Sequence, residues 1–205
     1  MRSASGLATV FVLCAGSAHF AHAQPDEALR QQAGIALVGT PMTSTDLLSD
    51  GHYPDQNRGF AGGVEGEYFV EIGSWLRLGV GARYELSVHP GVRGWPTTDC
   101  HYLTIPVLAA AEIALGHGGQ AVEIVAGIGL MATANKAPGQ NALIGLGPAV
   151  EGILAYSFPL RANLDLQASV ALRFGMPQLD NGSGYLEGPV LHGVVPLRLG
   201  LRWRL

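Results

Sequence analysis

Leu197-Arg198-Leu199-Gly200-Leu201-Arg202-Trp203-Arg204-Leu205 is apolar at every odd position and arginine or glycine at every even one. A period of two sends alternate side chains to opposite faces of a β-strand. The pattern recurs upstream in 60–70, 75–87, 101–115, 121–132, 142–158 and 164–175, and each time the charges keep to one face. In 75–87, for example, Arg77, Arg83 and Glu85 oppose Leu76, Leu78, Val80, Ala82, Tyr84 and Leu86. A further strand, less regular, is expected at 34–39.

Composition limits what such strands can build. The chain has 205 residues, 48% hydrophobic and 14% charged, with 29 glycines and a mean hydropathy of +0.24. Soluble domains carry about 25% charge. Past the N-terminal segment no stretch offers the ~20 consecutive apolar residues of a spanning helix. Low charge, many glycines and apolar residues at alternate positions instead describe a barrel that crosses a membrane with strands. A net charge of -4 argues against a nucleic-acid partner.

Eight strands follow, joined by connections that alternate long (41–58, 88–100, 133–141, 177–189) and short. The expected architecture is all-β: an eight-stranded antiparallel up-and-down transmembrane β-barrel with short periplasmic turns and long extracellular loops. Both termini then lie in the periplasm. Lipocalin-like soluble barrels alternate too, with the apolar face inside, so alternation alone does not decide. Three observations favour the membrane. The apolar face is free of charge from the second strand on, and a midplane Arg or Lys there would cost about 2–4 kcal/mol. Aromatics gather at two levels, with Tyr68, Trp75, Phe158 and Trp203 toward the short turns and Phe60, Tyr84, Tyr102 and Phe174 toward the long loops. Most of the strands are also longer than the roughly 5–6 residues usual in soluble proteins.

The segment Tyr102-Leu103-Thr104-Ile105-Pro106-Val107-Leu108 and the terminal alternating strand resemble the small outer-membrane β-barrel proteins of Gram-negative bacteria, the OmpA-type transmembrane domain and its OmpX-like relatives. The resemblance spans the chain after residue 23 and implies a porin-like cell-envelope architecture more than an activity. It also implies the barrel-assembly machinery as a partner, alongside outer-membrane lipids. Members usually end in an aromatic that this machinery reads, whereas here the last residue is Leu205, with Trp203 two places before it.

Residues 1–23 read as a cleaved signal peptide: Arg2, an apolar run from Leu7 to Ala15, then Ala21-His22-Ala23, leaving 24–205 as the barrel domain. A lipoprotein anchor at Cys14 is the rival, opposed by Leu13, where a small residue would be needed. Without that segment Cys100 is the one cysteine, so no internal disulfide is possible.

Eight strands enclose a space that side chains just fill. The inward charges are Glu65, Glu67, Glu85, Glu112, Glu123, Glu151 and Asp165 against Arg77, Arg83, Arg173, Arg198, Arg202 and Arg204. Near balance suggests a salt-bridged plug, since buried charges must be paired. Small inward residues (Gly79, Gly81, Gly127, Gly129, Ala149, Ala155) leave room for water, and so for a narrow pore for ions or small solutes. A third reading is a surface lipid hydrolase built on Ser87, His89, Asp99 and His101, a nucleophile near a base and an acid, though no lipid-deacylase motif is matched. His89, Asp99, Cys100 and His101 hold metal-ligand chemistry, and Asp180-Asn181-Gly182 is chiefly a turn signal. The reading that fits best is non-enzymatic, without cofactor or metal. It is a structural or adhesion-like barrel that acts on an extracellular ligand through loops 41–58, 88–100 and 177–189.

Overall fold

The computed structural model describes residues 30–47, 59–72, 75–89, 98–115, 118–136, 143–180 and 186–205. They form ten β-strands and no helix: β1 Gln31–Leu47, β2 Gly59–Glu71, β3 Leu76–His89, β4 Thr98–Leu115, β5 Gln120–Lys136, β6 Leu143–Arg161, β7 Leu164–Gly175, β8 Gln178–Asp180, β9 Leu186–Val194 and β10 Leu197–Arg204. Every pairing is antiparallel, and the sheet closes on itself where β1 meets β10. Closure leaves no unpaired edge, the condition for carrying strands through hydrocarbon.

The ten strands are eight staves. Proline lacks the N–H that a ladder needs, and two prolines mark the interruptions. Pro177 separates β7 from β8, and Pro196 separates β9 from β10. The stave itself runs on. Pairing of β6 passes from Ala149↔Gly175 to Leu146↔Gln178 without a shift, bridged by Met176 N donating to Pro148 O at 2.9 Å. Pairing of β7 likewise passes from Ser169↔Arg198 to Arg173↔Val194. Pro106 is accommodated in β4 because the β3–β4 pairing skips it, from Val80↔Val107 to Arg83↔Thr104.

Several boundaries differ from the sequence expectation. The first strand is not 34–39 but Gln31–Leu47, which takes up part of the expected loop 41–58. An extra residue between Thr40 and Thr43 bulges it, a bend that pure alternation does not announce. Loop 88–100 narrows because β3 reaches His89 and β4 starts at Thr98, so Asp99 and Cys100 are strand residues. Loop 133–141 narrows in the same way, with β5 reaching Lys136 and β6 starting at Leu143. Loop 177–189 contains β8 and the start of β9. The cause is common to all of them. Polar stretches stay extended wherever a neighbouring strand is there to pair their backbone groups.

The wall is inside-out relative to a soluble protein. Leu37, Val80, Val107, Ile128, Leu146 and Leu199 are more than half exposed on its outer face. The inner face buries Glu65, Arg83, Glu85, Glu123 and Arg173 to 2% exposure or less. Water outside would strand that apolar band, whereas lipid is its matching solvent. The expected cleavage after residue 23 lies outside the described residues.

Candidate functional site: the charged lumen

Charged side chains enter the lumen from six staves, and alternation puts each one on the inner face. Glu65 and Glu67 come from β2; Arg77, Arg83 and Glu85 from β3; Glu123 from β5; Glu151 from β6; Arg173 from β7; Arg198 and Arg202 from β10. Five buried carboxylates thus meet five buried guanidiniums. Glu112 of β4 joins them at the short-turn mouth, where its side chain is 39% exposed.

The ion pairs form one continuous chain of alternating sign. From the short-turn end, Glu112 pairs with Arg77 at 2.9 Å, and Arg77 with Glu123 at 3.2 Å. Arg202 bridges Glu123 to Glu67, the latter at 3.6 Å. Glu67 then takes Arg198 at 2.6 Å and Arg83 at 3.1 Å. Glu65 takes Arg173 at 2.6 Å, Arg198 at 2.7 Å and Arg83 at 3.6 Å. Arg83 donates to both oxygens of Glu151, at 2.5 Å and 2.7 Å, a bidentate geometry that suits the planar guanidinium. Arg173 closes the chain on Glu85 and on Glu151 at 3.2 Å. Asp165 stands apart at the mouth with Arg204, at 2.8 Å, and that arginine is 46% exposed.

Neutral residues complete the packing. Gln32 accepts from Arg77, and Gln167 Nε2 donates to Glu123 at 3.2 Å. Phe69 points inward at 1% exposure, with the guanidinium carbons of Arg202 and Arg77 at 5.4 Å and 5.8 Å from its ring centre, within range of a cation–π contact. Phe69 also joins Leu108, Ala110, Val125, Ile153, Ala155 and Ala171 in an apolar cluster lining β4 to β7. Cys100, Tyr102, Met131 and Ala149 form a second buried cluster, with Tyr102 in register with Glu85. There the Tyr102 ring stacks on His192 at 3.9 Å between centres.

Phe69, Gln32 and His192 were not among the residues that the sequence assigned to the lumen. Parity already placed Phe69 beside Glu67 on the inner face, and that signal was available. Tyr102 is a correction. Rather than joining the outer aromatic girdle, it faces the lumen at 4% exposure, because it is even-numbered on a stave whose odd positions face out. The side chain of Phe60 lies outside the described residues. Trp75, Phe158 and Phe174 are exposed on the outer wall, while Tyr68, Tyr84 and Trp203 are partly so. Tyr156, 40% exposed near the short turns, adds to that level.

Several of the inward glycines are closely approached by neighbouring side chains. A Cβ on Gly81 would stand 2.8 Å from Arg83 Nη1, one on Gly127 2.7 Å from Glu151 Cγ, and one on Gly175 2.7 Å from Met131 Cε. Each glycine is the seat of a large neighbour. Two of the candidate hydrolase residues point to opposite sides of the wall, and the side chain of His89 lies outside the described residues. Ser87 is buried in the lumen, whereas His101 faces outward and hydrogen-bonds the Tyr84 hydroxyl at 2.8 Å. Cys100 turns inward between Asp99 and His101, so these three cannot converge on one metal ion.

Neisserial surface protein A superposes with a TM-score of 0.60 at 12% identity, over 85% of this chain and 97% of that one. The outer membrane protein OprG of Pseudomonas aeruginosa gives 0.53 at 11% identity, over 87% and 97%. The fold is that of the small outer-membrane β-barrels. No family model and no curated protein matches the sequence.

Proposed function

We propose that this protein is an outer-membrane barrel whose lumen is a sealed, charge-paired plug and whose working surface is the loops at the long-loop end, in a structural or adhesion-like role. The observation that carries the reading is the unbroken chain of ion pairs from Glu112 to Glu85. In this arrangement Arg83 and Arg173 reach carboxylates on staves across the bore, and Arg198 reaches past β1 to Glu67. A conducting path would have to separate charges held at low dielectric, where leaving one unpaired is costly. The short-turn end of the barrel then faces the periplasm and the long-loop end faces outward.

Support for a non-enzymatic role comes from the opposite orientations of Ser87 and His101. Planar-bilayer recording of the refolded chain tests the plug. A folded barrel with no steady single-channel conductance is expected. A steady conductance that changes on Arg77→Gln or Arg198→Gln would install the narrow pore in its place.

A further inference from the structure

An apolar groove of about 450 Å³ crosses the outer wall where β5, β6, β7 and β10 adjoin. Its outward lining is Val122, Leu154, Tyr156, Ala168, Val170 and Leu197. The depth comes from Ala168, a small residue registered between Tyr156 of β6 and Leu199 of β10. The lower rim is set by Val122 and Tyr156, register partners near the short turns, and the upper by Val170 and Leu197, partners nearer mid-wall. The groove therefore spans the half of the apolar band that meets the acyl chains of one leaflet. Five residues beyond Tyr156 on the same strand, a one-residue register shift between Pro159 and Arg161 pairs Arg161 with Leu164 of the outer face, and Arg161 is exposed at the foot of the wall. That puts it past the aromatic level, where head-group phosphates lie and where a cation is stabilised by anionic lipid.

We propose that this groove is a specific site for one anionic phospholipid of the leaflet at the short-turn end. One acyl chain lies over Ala168, and the phosphate is met by Arg161. The inference rests on the membrane-spanning reading and adds to it a fixed lipid with a charge requirement.

The test is native mass spectrometry of the refolded chain released from micelles doped with phosphatidylglycerol or with phosphatidylcholine of the same acyl chains. One retained phosphatidylglycerol is expected on the wild type, with phosphatidylcholine held less well. Arg161→Gln and Ala168→Phe should each weaken retention about fivefold, the scale of one interfacial cation. Val80→Phe, exposed on β3 away from the groove, should leave it unchanged. Equal retention by all four proteins overturns the site, as does phosphatidylcholine bound as tightly. A wild-type dimer lost in Ala168→Phe would also overturn it, by giving the groove to a second copy. Strand protection from protease in vesicles is measured in parallel. Its loss in the wild type would strike the membrane reading itself.

Discussion

Glu65 receives three guanidiniums and is wholly buried. Its removal therefore does more than delete contacts, because it leaves Arg83, Arg173 and Arg198 with excess positive charge in a closed space. Glu65→Gln is expected to lower stability by about 3–5 kcal/mol, the cost of breaking a buried ion pair from one side, read from the urea midpoint of the refolded barrel. Asp165→Asn provides the contrast. Its partner Arg204 is nearly half exposed, so solvent screening limits the loss to about 0–1 kcal/mol. Equal effects from the two would show that the network is not carrying the barrel interior. The glycines make the same point through volume. Gly127→Val inserts carbon where Glu151 and Leu108 already sit at 2.7 Å and 2.9 Å, and overpacking should cost about 1–3 kcal/mol.

At the scale of the element, each stave is an amphipathic strand with its polarity reversed, and its depth in the membrane can be read by substitution. Val107 sits mid-stave on β4 and is 59% exposed, while Leu115 ends the same strand at 42%. Val107→Arg should cost about 2–4 kcal/mol and Leu115→Arg about 0–1, the depth dependence of a cation on the lipid face. Unfolding in vesicles measures both. In a soluble barrel the two would differ little. Most strands were legible in sequence because period two survives wherever one face meets lipid. β1 was legible only over 34–39, because its outer half carries Thr, Ser and Asp and a bulge at Thr40–Thr43. The extension of β3, β4 and β6 beyond their apolar cores was hidden for a related reason: backbone pairing, not side-chain type, holds those ends.

For the whole molecule, closure decides what the side chains can do. Twelve close ion-pair contacts among the described residues share a few side chains, so changing one charge disturbs several others. Replacing 48–58 by a short Gly-Ser turn should leave the unboiled and boiled bands at different mobilities and abolish binding of any loop-recognised partner. A replacement that unfolds the barrel would show that this segment is structural. Sequence by itself determined the strand class, the sidedness of every inward charge from Glu65 to Arg202 and the apolar outer face, because parity along a strand is a local property. Only the tertiary structure decided which carboxylate meets which guanidinium, that glycines such as Gly81 seat large neighbours, and that Tyr102 stacks on His192. Those facts depend on stagger between staves and on distances across the bore, and both are fixed only when the sheet closes.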